Sequence, residues 1–103
     1  MATDRQILRE KLLKFFTEDQ LYFSPPETVR LTYPCLIYNK TGYEIDNANN
    51  TSYKEHTIFN ITYITRNPDD DKPLELKRAF KNCKILSHET IDNLYHTYLR
   101  IYI

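Results

Sequence analysis

The chain has 103 residues, of which 41% are hydrophobic and 14% aromatic, and this is enough apolar material for one folded core. Fourteen basic and fourteen acidic side chains give a formal net charge of zero, so no overall field draws the protein to nucleic acid or to an anionic membrane. No run approaches the roughly 20 apolar residues of a membrane span, and the polar N-terminus lacks a signal peptide's apolar stretch. We therefore expect one domain over residues 1–103, cytosolic where it is made, with no membrane association.

The sequence contains residue types that can bind ligands or catalyse reactions, but their spacing does not suit either role. Gly42 is the only glycine, which excludes glycine-rich phosphate-binding loops. The run Asp69–Asp71 is a poor cation cage, because calcium and magnesium sites draw ligands from alternating positions or separate elements. The three histidines lack metal-ligand spacing, and neither cysteine has a catalytic context. We therefore predict no enzymatic activity, no metal and no cofactor.

Residues 4–16 show the periodicity of an amphipathic helix. Thr3 and Gln6 have the spacing of a capping box, in which each side chain bonds the other's backbone N–H. One apolar stripe recurs at helical spacing. It consists of Ile7, Leu8, Leu12, Phe15 and Phe16. We expect this helix to dock on a sheet formed by the residues that follow.

The composition of the next segments predicts strands that are interrupted by prolines. Leu21–Phe23 is a short apolar stretch ended by Ser24-Pro25-Pro26, which forces an extended turn. Residues 28–38 indicate one strand, or two strands broken near Pro34. Because proline cannot donate to a ladder, we expect an edge position or a bulge there.

Residues 39–55 are polar and lack apolar periodicity, so they indicate a long loop or a mobile hairpin. Residues 56–66 form the clearest strand. Apolar groups occur on both of its faces, which predicts a central strand. The side that we expect to share one face comprises Thr57, Phe59, Ile61, Tyr63 and Thr65.

The C-terminal third predicts a helix at 73–82, capped by Asp71 or Lys72, with Pro73 near its first position. Strands follow at 83–87 and 94–103, with a turn at Asp92-Asn93 between them. The order of elements predicts an α+β fold: a mostly antiparallel sheet packed against the N-terminal amphipathic helix and a second short helix. Cys35 and Cys83 fall in strands and fit buried, reduced thiols, although a disulfide between them stays open.

Four stretches, in this order and spacing, resemble the small tail terminator, or tail completion, proteins of long-tailed bacteriophages. They are Phe23–Glu27, Tyr33–Tyr38, Tyr63–Asp69 and Asp92–His96. The chain departs from the family pattern at Thr65 and Asn67, where acidic residues are expected. Together the four stretches span most of residues 21–103.

The resemblance implies a structural virion protein in the tail or neck. Such a subunit forms a ring, expected to be a hexamer, that caps the tail tube and provides the docking surface for the head connector or stopper protein. DNA would pass through the ring without specific binding. The residues predicted at interfaces with other subunits or partners are Tyr43, Glu44, Asn47, Asn50, Arg66, Asp69, Asp92 and Tyr102.

Two alternatives remain open from the sequence. A head-closure or head-tail connector protein of the same neck differs only in the partner that it meets. A small nucleic-acid-binding regulatory protein belongs to another class. It would use Tyr98, Arg100 and Tyr102 on one strand face to stack single-stranded bases.

Overall fold

The computed structural model describes residues 3–26, 28–48 and 52–103, and for residues 43–48 and 52–56 it describes the backbone alone. The elements in chain order are α1 (Asp4–Leu12), a 3₁₀ turn (Glu18–Gln20), β1 (Leu21–Phe23), β2 (Cys35–Ala48), β3 (Ser52–Thr65), α2 (Lys72–Ala79), β4 (Cys83–Ile91) and β5 (Leu94–Tyr102). The five strands form one sheet in the order β1-β2-β3-β5-β4. Only the β1–β2 pair is parallel. The predicted α+β fold with a mostly antiparallel sheet is therefore confirmed.

Helix α1 begins with the predicted capping box. The Thr3 side chain accepts from the Gln6 N–H, and the Gln6 side chain accepts from the Thr3 N–H at 2.8 Å. The helix ends at Leu12, earlier than the predicted residue 16, and irregular turns carry Phe15 and Phe16. Phe16 is nevertheless buried, with its ring centroid 5.6 Å from that of Tyr63. The apolar residues that indicate the helix in the sequence thus continue into the turns that follow Leu12.

Helix α2 also differs in its bounds from the predicted 73–82. Asp71 is its N-cap, Pro73 lies in its first turn, and Phe80 is already extended. Proline fits the first turn because the N–H that it lacks has no intrahelical partner there. Leu76 and Phe80 are the buried anchors of this segment.

The core lies between the two helices and one face of the sheet, and we call this the helix-covered face. Strand β3 is central, between β2 and β5, as its two apolar faces predicted. The predicted alternation is also confirmed, since Thr57, Phe59, Ile61, Tyr63 and Thr65 are all buried. The core comprises Leu8, Leu12, Phe16, Leu36, Tyr38, Phe59, Ile61, Tyr63, Leu76, Phe80, Cys83, Leu99 and Ile101.

The segment between β1 and β2 corrects a sequence-based expectation. A strand was predicted from residue 28, but β2 begins only at Cys35, and residues 28–34 pair with no other strand. The Thr32 N–H donates to the Tyr22 hydroxyl at 3.3 Å. Tyr22 pairs with Ile37, the residue after the core residue Leu36 in β2. Tyr22 and Ile37 therefore lie on the opposite side of the sheet from the helices, which we call the far face. The prolines that flank this segment limit its ability to join the ladder.

Residues 39–55 were expected to form a loop or a hairpin, and the described part is a hairpin. Strands β2 and β3 pair from Cys35↔Ile64 to Ala48↔Ser52, whereas β3 pairs with β5 only from Ile58 onward. The ends of β2 and β3 therefore extend past the rest of the sheet as a two-stranded projection. We call residues 43–48 and 52–56 the arm. The whole molecule measures 50 × 26 × 25 Å.

Strand β4 extends to Ile91, beyond the predicted end at residue 87, and meets β5 through the predicted Asp92-Asn93 turn. Both turn residues have positive φ, 51° and 64°, as a two-residue type I′ hairpin requires. Asparagine and aspartate tolerate this left-handed region better than most residues.

The two cysteines lie far apart in the sheet. Cys83 belongs to the core of the helix-covered face, whereas Cys35 is on the far face, and two strands separate β2 from β4. At about 4.8 Å per strand spacing, this exceeds the reach of a disulfide. Burial raises the pKa of the Cys35 thiol to about 11, so the thiol is uncharged and unreactive at neutral pH.

Candidate interaction surface

The sheet ends in two unlike edges. On one side, β1 covers only three residues of β2, so the outer edge of β2 beyond Tyr38 has no neighbouring strand among the described residues. On the other side, β4 is an edge strand along all nine of its residues. An unpaired edge presents a row of backbone donors and acceptors that a strand of another chain can pair with.

Exposed apolar side chains concentrate near the β4 edge. Among the described residues, Leu74, Leu86, Ile91 and Tyr95 are 46%, 49%, 42% and 36% exposed. The other large apolar side chains with comparable exposure, Phe23 and Val29, lie toward the β1 edge. Clustered exposure of this kind is typical of surfaces that bind another protein.

A cavity of about 380 Å³ lies next to the β4 edge, on the helix-covered face between the start of α2 and the β4–β5 hairpin. We call it the acidic cleft. Its floor contains Thr65 and Thr97, each 6% exposed, and Leu74 forms part of its wall. The Thr97 hydroxyl lies 3.1 Å from His88 Nδ1.

The charges that line the cleft are acidic. Although partial burial favours the neutral acid, hydrogen bonds from the Tyr63 hydroxyl at 2.6 Å and the Lys72 N–H at 3.0 Å lower the pKa of Asp70. Asp71 is exposed and makes no side-chain capping bond, whereas the Glu89 carboxylate lies on the far face, where it accepts from the Tyr98 hydroxyl at 2.8 Å. None of the described lining residues is a lysine or an arginine. The cleft therefore favours a cationic side chain.

The far face of the sheet carries the predicted aromatic and basic row. Arg100 Nε donates to Asn60 Oδ1 at 3.2 Å, and Lys84 Nζ lies 5.9 Å from the Tyr102 ring centroid. The His96 and Tyr98 rings stack with centroids 6.3 Å apart. Tyr98, Arg100 and Tyr102 are partly exposed, as a surface that contacts a ligand requires.

The predicted interface residues fall at the two ends of the sheet. Arg66, Asp69 and Asp92 lie at the end that holds the acidic cleft, in the turns after β3 and β4. The guanidinium of Arg66 lies 5.7 Å from the centre of the Tyr33 ring. At the opposite end Tyr102 pairs with Ile58, close to the arm. The backbone of Tyr43, Glu44 and Asn47 belongs to the arm, and Asn50 lies outside the described residues.

Sequence reasoning did not find the acidic cleft. Its residues come from the β3–α2 turn, from α2 and from both strands of the last hairpin, and no local motif joins them. The sequence predicts Asp71 as a helix cap or as part of an acidic turn, and it shows no ligand spacing among the histidines, so neither signal indicates a cleft. The one available signal was the run Asp69–Asp71, which indicated an acidic surface.

Within the described part of the chain, His, Cys, Asp and Glu side chains form no group of three or more that could hold a metal ion. The described helices include none that is long and apolar enough to cross a membrane.

Comparison with known proteins gives no further assignment. The sequence matches no protein-family model, and it has no significant match among curated proteins.

Proposed function

We propose that this protein is a tail terminator of a long-tailed bacteriophage: a non-enzymatic ring subunit that caps the tail tube and provides the docking surface for the head connector. The resemblance in four ordered stretches motivates the identity of the particle. The distribution of open surfaces motivates the role as a ring subunit.

The observation that carries the proposal is the contrast between the two sheet edges. The β4 edge is open along nine residues and borders exposed apolar side chains and the acidic cleft. The opposite edge carries the short β1 and the unpaired segment that follows it. A subunit with unlike patches on opposite sides makes head-to-tail contacts, and these close into a ring when the rotation between neighbours allows it.

The arm supplies a third surface. Its two strands pair with each other but extend beyond the neighbouring β5, so the outer backbone edges of the arm are available to another chain. An extension at one end of the sheet suits contact along the axis of a ring, whereas the sheet edges suit contact around it. We assign the arm to the tail tube or to the connector.

A mutant phage tests the proposal directly. Lysates of phage that lack this gene are expected to contain overlong or unjoined tails beside filled heads when viewed by negative-stain electron microscopy. Complementation with the wild-type gene should restore joined particles. Complementation with a variant in which Asn-Gly replaces residues 44–56 should fail, because nearly all of the arm is removed while the Tyr43↔Thr57 pair and the described core residues remain.

Two other outcomes would change the assignment. Tails of normal length beside heads that leak DNA would indicate head closure. Normal infectious particles would contradict any essential structural role.

The far face supports a second candidate, binding of single-stranded nucleic acid. Tyr98, Tyr102 and Arg100 are partly exposed on a sheet face that carries neither helix, and aromatic side chains on a sheet can stack with bases. This candidate predicts salt-sensitive binding of a fluorescent oligothymidine that Tyr98→Ala and Arg100→Ala weaken. The terminator proposal predicts no such binding.

A further inference from the structure

The segment 28–32 has the sequence of a strand but no strand partner in the subunit. Its residues are Thr28, Val29, Arg30, Leu31 and Thr32. β-Branched residues of this kind fit a pleated, half-buried surface. In the structure the segment forms no ladder, and Val29 is 38% exposed.

Arg30 lies at the centre of this segment. Its side chain is exposed, and it has no ion pair with any residue that the structure describes. The segment thus presents an uncompensated cation between two apolar side chains, Val29 and Leu31. A partner for it needs an open strand edge, a negative charge on one side and an apolar surface on the other.

The β4 edge offers these three features together. Its backbone is unpaired on the outer side. The acidic cleft, with the exposed carboxylate of Asp71, lies on its helix-covered side. Ile91 is 42% exposed and pairs with Leu94. It lies on the far face, as do Ser87 and Glu89 at the alternate positions of β4.

We infer that residues 28–32 of one copy add to the β4 edge of a second copy as an intersubunit strand, with Arg30 entering the acidic cleft beside Asp71. This inference rests on the proposed ring, since it names the contact by which neighbouring subunits join.

The alternation of side chains along a strand accounts for the fit. Successive residues of an added strand point to opposite faces of the extended sheet. Arg30 would share the helix-covered face with Thr28 and Thr32, level with His88 and Thr90 at the cleft. Val29 and Leu31 would then lie on the far face, next to Ile91. A shift of one residue would place Arg30 against the apolar surface, so the charge pair sets the register.

The sheet order gives this contact its direction. Residues 28–32 lie beside β1 and β2, and the order β1-β2-β3-β5-β4 places β4 at the other edge. Each subunit therefore offers a donor segment on one side and an acceptor edge on the other. Such a contact is heterologous and continues from copy to copy until the ring closes.

Charge reversal in the full-length chain tests the inference. We expect Arg30→Glu and Asp71→Arg each to raise the dissociation constant for self-association by about tenfold or more, because each change places like charges together. The double variant Arg30→Glu/Asp71→Arg should recover association, since the pair is restored with opposite polarity. Sedimentation velocity over a concentration series measures these constants. The matched control is Lys14→Glu, which reverses an exposed charge after α1 and should associate like the wild type.

Mixing the two single variants tests whether positions 30 and 71 pair between copies. The Asp71→Arg chain keeps an intact donor segment, and the Arg30→Glu chain keeps an intact acceptor edge. The remaining contact joins the two substituted positions, which carry opposite charges as in the double variant, so an equimolar mixture should assemble further than either single variant alone. Circular dichroism of each single variant, with its melting temperature, checks that the monomer is folded.

The outcomes separate this inference from the ring proposal. If Arg30→Glu and Asp71→Arg assemble like the wild type, the β4 contact is wrong while the ring stands. If the single variants dissociate but the double variant does not recover, Arg30 and Asp71 are not paired and the inferred register is overturned. A wild-type chain that stays monomeric at its highest soluble concentration contradicts both.

Discussion

Strand β3 and the segment 28–32 have similar residue types but differ in strand pairing and in burial. Both are rich in β-branched and apolar residues. Residues 58–64 of β3 pair with β2 on one side and β5 on the other, and Phe59 and Ile61 are buried. The segment 28–32 pairs with no strand, and its side chains are exposed or only partly buried.

The difference lies in what surrounds each segment along the chain. β3 forms an antiparallel hairpin with β2, the strand that precedes it in the chain, so the register of β3 is set by a close sequence neighbour. The segment 28–32 follows Pro25-Pro26 and precedes Pro34, and these prolines provide no N–H for a ladder. The comparison teaches that β propensity marks a segment able to pair, while chain geometry decides whether the segment finds a strand partner within the subunit.

The largest expected effect that tests this contrast is the loss of stability when a large apolar side chain in each segment is replaced by alanine. We expect Phe59→Ala to lower the free energy of unfolding by about 3–5 kcal/mol, because the side chain is fully buried and leaves a cavity. The matched change Val29→Ala should cost less than about 0.5 kcal/mol in the monomer, as for most exposed sites. Urea unfolding followed by circular dichroism measures both. Equal losses would show that residues 28–32 belong to the subunit core.

A smaller effect is expected from a buried hydroxyl that donates to Asp70, one of the residues that line the acidic cleft. The Tyr63 hydroxyl donates to Asp70 at 2.6 Å, and its side chain is 1% exposed. Tyr63→Phe should therefore cost about 1–3 kcal/mol, as for a hydrogen bond to a charged group. The control is Tyr98→Phe, whose hydroxyl donates to the exposed Glu89 and should contribute only a few tenths of a kcal/mol. Thermal unfolding of both variants gives the comparison, and a larger loss for Tyr98→Phe would contradict it.

The smallest effect concerns pH. Hydrogen bonds from Tyr63 and the Lys72 N–H lower the pKa of Asp70 in the folded state, against the opposing influence of its partial burial. The ionised carboxyl therefore stabilises the fold above its unfolded pKa of about 3.9, and this contribution is lost as pH falls through the lower folded value. Because Asp70 is only partly buried, we expect less than about 1 kcal/mol.

Asp70→Asn tests this dependence, since the amide does not titrate. The stability difference between wild type and variant should shrink as the pH falls from 5 toward 2. A difference that grows with acidity would mean that the pKa of Asp70 is raised in the folded state.

The sequence determined the local elements of this protein. The Thr3–Gln6 capping box, the central β3, the Asp92-Asn93 turn and the α+β class all follow from short-range patterns: capping geometry, alternation and turn chemistry. These features depend on residues a few positions apart, so the chain alone specifies them. The interface positions Tyr43, Glu44, Asn47, Asn50, Arg66, Asp69, Asp92 and Tyr102 remain predictions.

Only the tertiary structure decided which segments meet. The acidic cleft joins Asp71 and Leu74 with His88 and Thr97 because β4 and β5 pair beside α2, an arrangement that no local pattern contains. The separation of Cys35 from Cys83 likewise follows from strand order. Strand order depends on contacts between residues distant along the chain, and residue patterns report only what each segment is able to bury or pair.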